Sequence, residues 1–323
     1  MHLASFDFPL SLPWIGAILT ALVGCFARQT CNLPSVRLHY RLADVPDQPH
    51  IPGASVPASL YTHEYFLTAC EGYDEFIATE GERLSRRLDA AFALAAVQSG
   101  MAVLDVGCGR GEILRHCARL GADAYGIDYA PVAVELSRDV INGTIAPTDA
   151  NALAKAGRTG VSQADAKRLP FPTGYFDRVL MFDVVEHLYP DELHTALLEI
   201  RRVLKPNGRF IVHTAPNVWY DRYAYPVVRR FRTMLGQGSK YPANPRAFLV
   251  DVNQDVHVNE QSLLSMRRTL ARAGFSSKVW LDSPPQPRQQ EGVVLDNLRH
   301  AMFALPPFRW FFEREVFAVA AKR

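Results

Sequence analysis

The stretch VLDVGCGRGEIL, residues 103–114, sets an acid, three glycines at alternate positions and a second acid between two apolar runs. Glycines at such spacing let a backbone turn sharply and approach a ligand closely. The charges narrow the ligand. A dinucleotide turn needs glycine, one residue, glycine, two residues, glycine, with a pyrophosphate on the helix N-terminus that follows. Gly107 and Gly109 fill the first two places, but the third falls on Glu112, and the remaining glycine is Gly111. A carboxylate at that helix start would repel a pyrophosphate. Asp105, at the end of the apolar run, adds a second negative charge. The pair suits a ligand carrying positive charge, such as an amino group and a sulfonium. The competing enzyme reading is a nucleotide-cofactor (NAD-type) oxidoreductase. The reading outside enzymes is a fold that keeps the turn for binding and has lost catalysis.

A second set of reactive side chains follows. FDVVEHL carries Asp183, Glu186 and His187, and DVHVNEQ carries His257 and Glu260. No H-x-x-x-H spacing accompanies them, so no metal is expected. The five cysteines form no C-x-x-C pair and leave an odd one, which fits a reducing compartment better than a disulfide framework. Cys108 reads as a small space-filler in the turn.

The elements that must position these groups alternate. Met101–Val106 reads as a strand, GEILRHCARLGA as a helix stopped by Gly121, DAYGID as a strand and APVAVELSRDVI as a helix. TGVSQAD and YFDRVLMFD are further strands. PDELHTALLEIRRVL is a helix with Pro190 near its start, and GRFIVHT is a strand with His213 filling core. NEQSLLSMRRTLARAGF reads as a helix capped by Asn259 and stopped by Gly274, and SSKVWLD and REVFAVAAK close the chain as strands. Strand and helix alternating at this spacing predict an α/β fold, with a parallel sheet covered on both faces. Its ligand belongs at the carboxyl ends of the strands, beside the first one. The glycine turn after Val106 stands at that place.

Five motifs in unbroken order resemble those of class I S-adenosylmethionine-dependent methyltransferases: DVGCGRGE, GIDYA, QADAKRLPF, FDRVLMFDVVEHL and VLKPNGRFIVHTAPN. The resemblance runs from about Leu84 to His213, and the two closing strands extend it. It implies a Rossmann-like, doubly wound seven-stranded sheet of order 3-2-1-4-5-7-6 with strand seven antiparallel. It implies S-adenosylmethionine as cofactor, with Asp105, Gly107, Cys108, Gly109 and Gly111 at the turn. Asp128 would hold the ribose hydroxyls, Asp165 the adenine amino group and Ala166 the ring. Tyr129 would flank the adenine, and Asp183 would close the cofactor side. Asp128 alone also reads as an ordinary helix cap.

A sulfonium methyl group is already activated, so the protein must align a nucleophile and exclude water. A hydroxyl nucleophile also needs a base. His187 is the expected base or a turn cap, with Glu186 and His257 beside it at the mouth. The acceptor is expected to be a small molecule, a glycan or a lipid-linked compound, taken at a hydroxyl or a carbon. The formal charge of +2 gives no global field for nucleic acid, and none is expected as partner.

The expected organisation is an apolar arm and linker over residues 1–60, a helical cap over 61–100 and a methyltransferase domain over 101–323 with a lid insertion at 216–258. In the cap, Leu84, Leu88, Ala91 and Leu94 or Ala95 share a face. In the lid, YPVVRRFRTML sets Val227, Val228, Phe231, Met234 and Leu235 against Arg229, Arg230 and Arg232, which reads as a packed helix with a solvated basic face or as a surface for an anionic acceptor or a lipid headgroup. Residues 8–27 carry no charge. A helix from Pro13 to Ala27 would be roughly 22 Å long at about 1.5 Å per residue, short of a bilayer core of about 30 Å. With no Lys or Arg before it, the segment is a poor signal peptide. A helix lying in a membrane interface and an arm packed on the protein both remain open, and the expected location is cytoplasmic with peripheral membrane contact as the alternative.

Overall fold

The computed structural model describes residues 55–70, 72–144, 156–234, 236–245, 255–282 and 308–323. The apolar segment at 8–27, most of the proline-rich linker, Leu235 and part of the lid insertion lie outside the described residues.

Helices α1 (Tyr73–Thr79) and α2 (Arg86–Ala93) precede the sheet. The alternating body follows: β1 (Ala102–Val106), α3 (Glu112–Arg119), β2 (Asp123–Asp128), α4 (Pro131–Thr144), β3 (Thr159–Gln163), β4 (Phe176–Phe182), α5 (Pro190–Val203) and β5 (Leu204–Thr214). Then come α6 (Tyr225–Met234), α7 (Leu263–Arg272), β6 (Phe275–Asp282), the short α8 (Phe308–Phe312) and β7 (Glu315–Lys322). The strands form one sheet in the order β3-β2-β1-β4-β5-β7-β6. β1 pairs in parallel with both β2 and β4, and β7 runs antiparallel between β5 and β6. This is the expected doubly wound order.

Strand side chains alternate between the two faces. Leu104, Val106, Val179, Met181, Phe210 and Val212 share one buried cluster with Leu193, Leu197 and Ile200 of α5 and Met266 and Leu270 of α7. Val103, Leu180, Phe182 and Ile211 turn to the other face, against Leu88 and Ala91 of α2 and Ile113, Leu114 and Cys117 of α3. Apolar runs buried on both faces are what a parallel sheet requires. Of the expected cap stripe, Leu88, Ala91 and Ala95 are buried, with Leu84 and Leu94 packed at the edge.

Two local expectations are corrected. The cap of α7 is Ser262, whose Oγ accepts from Ser265 N at 3.1 Å. Asn259 instead donates its side-chain amide to the Leu188 carbonyl at 2.9 Å, tying the segment before α7 to the turn after β4. In α6 the packing departs from the sequence expectation at Phe231, Met234, Arg229 and Arg232, while Arg230 is exposed as expected and Val228 is half-buried. Phe231 and Met234 are 56% and 79% exposed. Arg229 Nε donates to the Tyr241 carbonyl at 3.1 Å, and Arg232 Nη1 donates to Gln237 Oε1 at 3.0 Å with its guanidinium 5.6 Å from the Tyr241 ring. A guanidinium fork satisfies turn carbonyls that an apolar side chain would leave unpaired. Among the described residues no helix is long and apolar enough to cross a membrane.

Candidate cofactor and acceptor site

The glycine turn leaves β1 between β2 and β4. Gly107 N and Cys108 N both donate to the Ile127 carbonyl, at 2.8 and 3.0 Å, so the turn is bonded to the last rungs of β2. Gly107, Gly109 and Gly111 all have positive φ, a region where glycine carries no steric penalty. The three glycines do different work. A Cβ on Gly107 would stand 2.3 Å from Val184 Cγ2, and one on Gly111 would stand 3.0 Å from the Ser137 backbone. A Cβ on Gly109 would meet only Phe66 Cε1, at 3.8 Å. Gly107 and Gly111 therefore serve close packing within the protein, and Gly109 is the glycine with space before it.

Asp128 ends β2 and grips the turn. Its Oδ2 accepts from Gly109 N at 3.0 Å and its Oδ1 accepts from Ala130 N at 2.9 Å. Burial raises its pKa to about 6, against the pull of those amides. Asp105 is 3% exposed at the end of β1. Burial, then the charges of Asp128 and Glu112, push it up to about 8. A buried acid whose ionised form is disfavoured by burial and by neighbouring carboxylates gains from a cationic group beside it, which would draw its proton off. The donor set here therefore fits a cofactor bearing an amino group and a sulfonium. Cys108 lies beneath the turn with Sγ 3.5 Å from Ser137 Oγ, and burial raises its thiol well above the ordinary range.

Glu112 does not present a bare carboxylate to the helix start. Arg110 Nη2 and Nε donate to Glu112 Oε1 at 2.9 and 3.3 Å. Arg110 is 1% exposed, donates Nη1 to the Phe66 carbonyl at 2.8 Å and lies 5.0 Å from the Phe76 ring. It staples the segment before α1, and α1 itself, onto the glycine turn. Sequence reading passed over it, because an arginine inside a glycine turn signals nothing about carbonyls some 44 residues upstream.

On the β3 side, Asp165 Oδ1 accepts from Lys167 N at 2.9 Å and Oδ2 lies 3.3 Å from Lys167 Nζ. Ala166 is half-buried, and Tyr129 is 41% exposed with its carbonyl accepting from Gln163 Nε2 at 3.2 Å.

At the end of β4, Asp183 takes a left-handed φ of 53°. Its Oδ1 lies 2.9 Å from His213 Nδ1 and 3.5 Å from Arg87 Nη1. His213 Nε2 lies 3.3 Å from Glu315 Oε2. His213 is buried in the core, as expected, and it does more than fill space. It is the buried centre of an ionic set joining α2, β4, β5 and β7. Burial alone would lower its pKa, but the Asp183 charge overrides this and holds it at about 9, against an ordinary 6.5. Burial likewise opposes ionisation of Asp183, yet His213 and Arg87 keep that carboxyl well below its ordinary 3.8. Linkage then gives the sign. The His213 share of stability is fully present below pH 6.5 and is lost as pH rises through about 9. The Asp183 share is present above pH 3.8 and is lost on acidification. His213→Gln should flatten the fall in Tm between pH 6.5 and 9. A wild-type Tm that falls no more steeply than the variant's across that window would refute the pairing.

Glu186 and His187 follow in the turn after β4. Thr214 Oγ1 donates to Glu186 Oε2 at 2.7 Å, and the Glu186 carbonyl accepts from Val258 N and Asn259 N at 2.8 and 3.0 Å. Those two amides tie the segment before α7, and His257 with it, to the turn after β4. The His187 and His257 rings lie 5.0 Å apart at 87°, and one ligating atom from each of Glu186, His187 and His257 lies within 4.8 Å of the others. The sequence showed no local metal spacing because these groups come from two turns 70 residues apart. Burial, then the Asp183 charge, raise Glu186 to about 7. Burial, then the charge of His257, lower His187 to about 3, so its imidazole is neutral at working pH. Tyr61 Oη lies 3.2 Å from His187 Nδ1, which ties the segment before α1 to the turn after β4.

The Methyltransferase domain family matches residues 104–212, from β1 to β5. The chain is 30% identical over 191 residues to the ubiquinone/menaquinone biosynthesis C-methyltransferase UbiE of Cupriavidus taiwanensis, covering 57% of this chain and 71% of that protein. It is 30% identical over 193 residues to the methyltransferase GfsG of Streptomyces halstedii, covering 58% of this chain and 64% of that one. A chain in the solved complex of the Haloferax volcanii Trm112 methyltransferase activator with a methyltransferase shares the fold, with a TM-score of 0.50 at 20% identity, covering 80% of this chain and 97% of that one. The chain belongs to the class I S-adenosylmethionine-dependent methyltransferases. It is an enzyme of that class, and S-adenosylmethionine is its cofactor.

Proposed function

We propose that the chain methylates a carbon or hydroxyl of a small-molecule acceptor, with the glycine turn and Asp128 holding the cofactor and the Glu186–His187–His257 cluster facing the acceptor. The observation that carries this reading is the arrangement of the two groups. The turn and Asp128 lie at the ends of β1 and β2, and the cluster lies beyond the end of the adjacent β4. A cofactor lying along the strand ends, ribose on Asp128 and adenine near Asp165 and Ala166, directs its sulfonium towards β4. Asp105 and the backbone of Asp183 border the amino-acid end. The acceptor's electron pair then forms the bond to the methyl carbon, and the carbon–sulfur pair stays on sulfur. The acceptor's proton passes to the cluster. UbiE is by its name a C-methyltransferase of quinone biosynthesis, which favours a carbon of an electron-rich ring over a glycan or a lipid-linked sugar. In this reading residues 61–100 form the cap and residues 216–258 the lid.

The acceptor is tested by incubating the protein with labelled S-adenosylmethionine and a panel of phenols, quinols and sugar nucleotides. Label on a carbon or hydroxyl of the ring compounds supports the reading, and label on none of them or on sugars alone overturns it. The cofactor half is tested by Asp128→Ala. Losing bonds to a charged group should weaken S-adenosylhomocysteine binding by about 1.5–3 kcal/mol. Calorimetry showing unchanged affinity would remove Asp128 from the site.

A further inference from the structure

The cluster after β4 has the composition of a cation site as well as of an acid–base site. Two imidazoles and one carboxylate form the donor set of many zinc and non-haem iron centres. Around an ion with bonds of about 2.0–2.2 Å, neighbouring donors stand roughly 3–4 Å apart, by the geometry of four or six ligands. The three donor atoms already lie within 4.8 Å of one another, so small side-chain rotations close the shell. A second observation points the same way. His257 Nδ1 is buried without a hydrogen-bond partner, and the nearest carboxylate oxygen, Glu260 Oε1, is 3.6 Å away. A buried imidazole nitrogen that reaches its neighbouring carboxylate only at ion-pair distance gains from a further bond.

The supports behind the donors suit a metal. Thr214 Oγ1 orients Glu186 through Oε2. The His187 ring hydrogen-bonds the Val256 carbonyl, and Tyr61 Oη touches its Nδ1 at 3.2 Å. Partners of this kind fix the tautomer and aim of metal-binding imidazoles. Whichever ring nitrogen of His187 takes the ion, one of those two contacts is given up.

We propose that Glu186, His187 and His257 bind a divalent transition-metal ion, and that the ion holds an oxygen of the acceptor beside the methyl group. Binding of the ion stands on the cluster alone, and only its use in orienting the acceptor rests on the methyltransferase reading.

The test uses the full chain without an affinity tag, stripped with chelator and dialysed against Zn²⁺ or Co²⁺. About one equivalent of zinc should be retained in competition with a weak chelator. The cobalt form should show visible bands of nitrogen and oxygen ligation without the near-ultraviolet absorption of a thiolate. His257→Ala should weaken zinc binding by at least about tenfold. His257→Asn, which keeps the volume, serves if the alanine variant fails to fold. No retained metal, a thiolate signature, or equal retention by a folded His257 variant would each overturn the proposal. S-adenosylhomocysteine calorimetry on the same samples separates the two readings. Cofactor bound without metal leaves the methyltransferase reading intact, and metal bound without cofactor leaves the ion site intact.

Discussion

His187→Ala is expected to lower turnover by about 10²–10⁴-fold while leaving S-adenosylhomocysteine affinity within about twofold, the range for removing a group that handles the acceptor's proton or oxygen. The split follows from placement. His187 stands beyond the end of β4, beside Glu186 and His257, and makes none of the contacts that tie Asp128 to the glycine turn. Burial keeps its imidazole neutral, so its lone pair is available across the working range. Either use of that lone pair, accepting a proton or holding an ion, acts on the acceptor. A loss under about threefold with a true acceptor would reduce His187 to a turn residue. An equal loss of cofactor affinity would mean that the cluster supports the cofactor.

Gly109→Val should abolish detectable S-adenosylhomocysteine binding while the protein still melts cooperatively. Gly109 has φ 52°, and a Cβ there meets nothing of the protein closer than Phe66 Cε1 at 3.8 Å. A branched side chain therefore enters the space before the turn and excludes whatever must approach the backbone. The left-handed conformation costs a β-branched residue roughly 1–3 kcal/mol, so Tm should fall as well. Gly109→Ala carries much of that strain without the branch and separates the two effects. Gly107→Ala is a poorer probe, because its Cβ would stand 2.3 Å from Val184 Cγ2 and disturb packing first. Near-normal binding by a folded Gly109→Val protein would place the cofactor elsewhere.

The sheet was legible in the sequence because its strands are short apolar runs between glycine and polar turns. β2 falls on DAYGID, and the helix stops at Gly121 and Gly274 are real. The turn and Asp128 were legible because backbone strain leaves a glycine signature and strand ends are readable. What escaped was set by side chains that bridge long separations. Arg110 turns back onto Phe66 and Cys70, and His213 finds Asp183 and Glu315 across neighbouring strands. The Glu186–His187–His257 convergence depends on two amides, of Val258 and Asn259, bonded to the Glu186 carbonyl. No local spacing encodes any of these contacts. The orientation of α6 escaped for a different reason. Amphipathic periodicity says that two faces differ but not which contacts form, and Arg229 and Arg232 turn to the Tyr241 turn instead of to solvent.

The most direct measurement is a crystal structure of the S-adenosylhomocysteine complex. The account predicts the ribose hydroxyls within about 2.6–3.2 Å of the Asp128 carboxylate, hydrogen-bond range, and the sulfur directed at the Glu186–His187–His257 cluster. Ribose bound away from Asp128, or sulfur directed away from the end of β4, would contradict it.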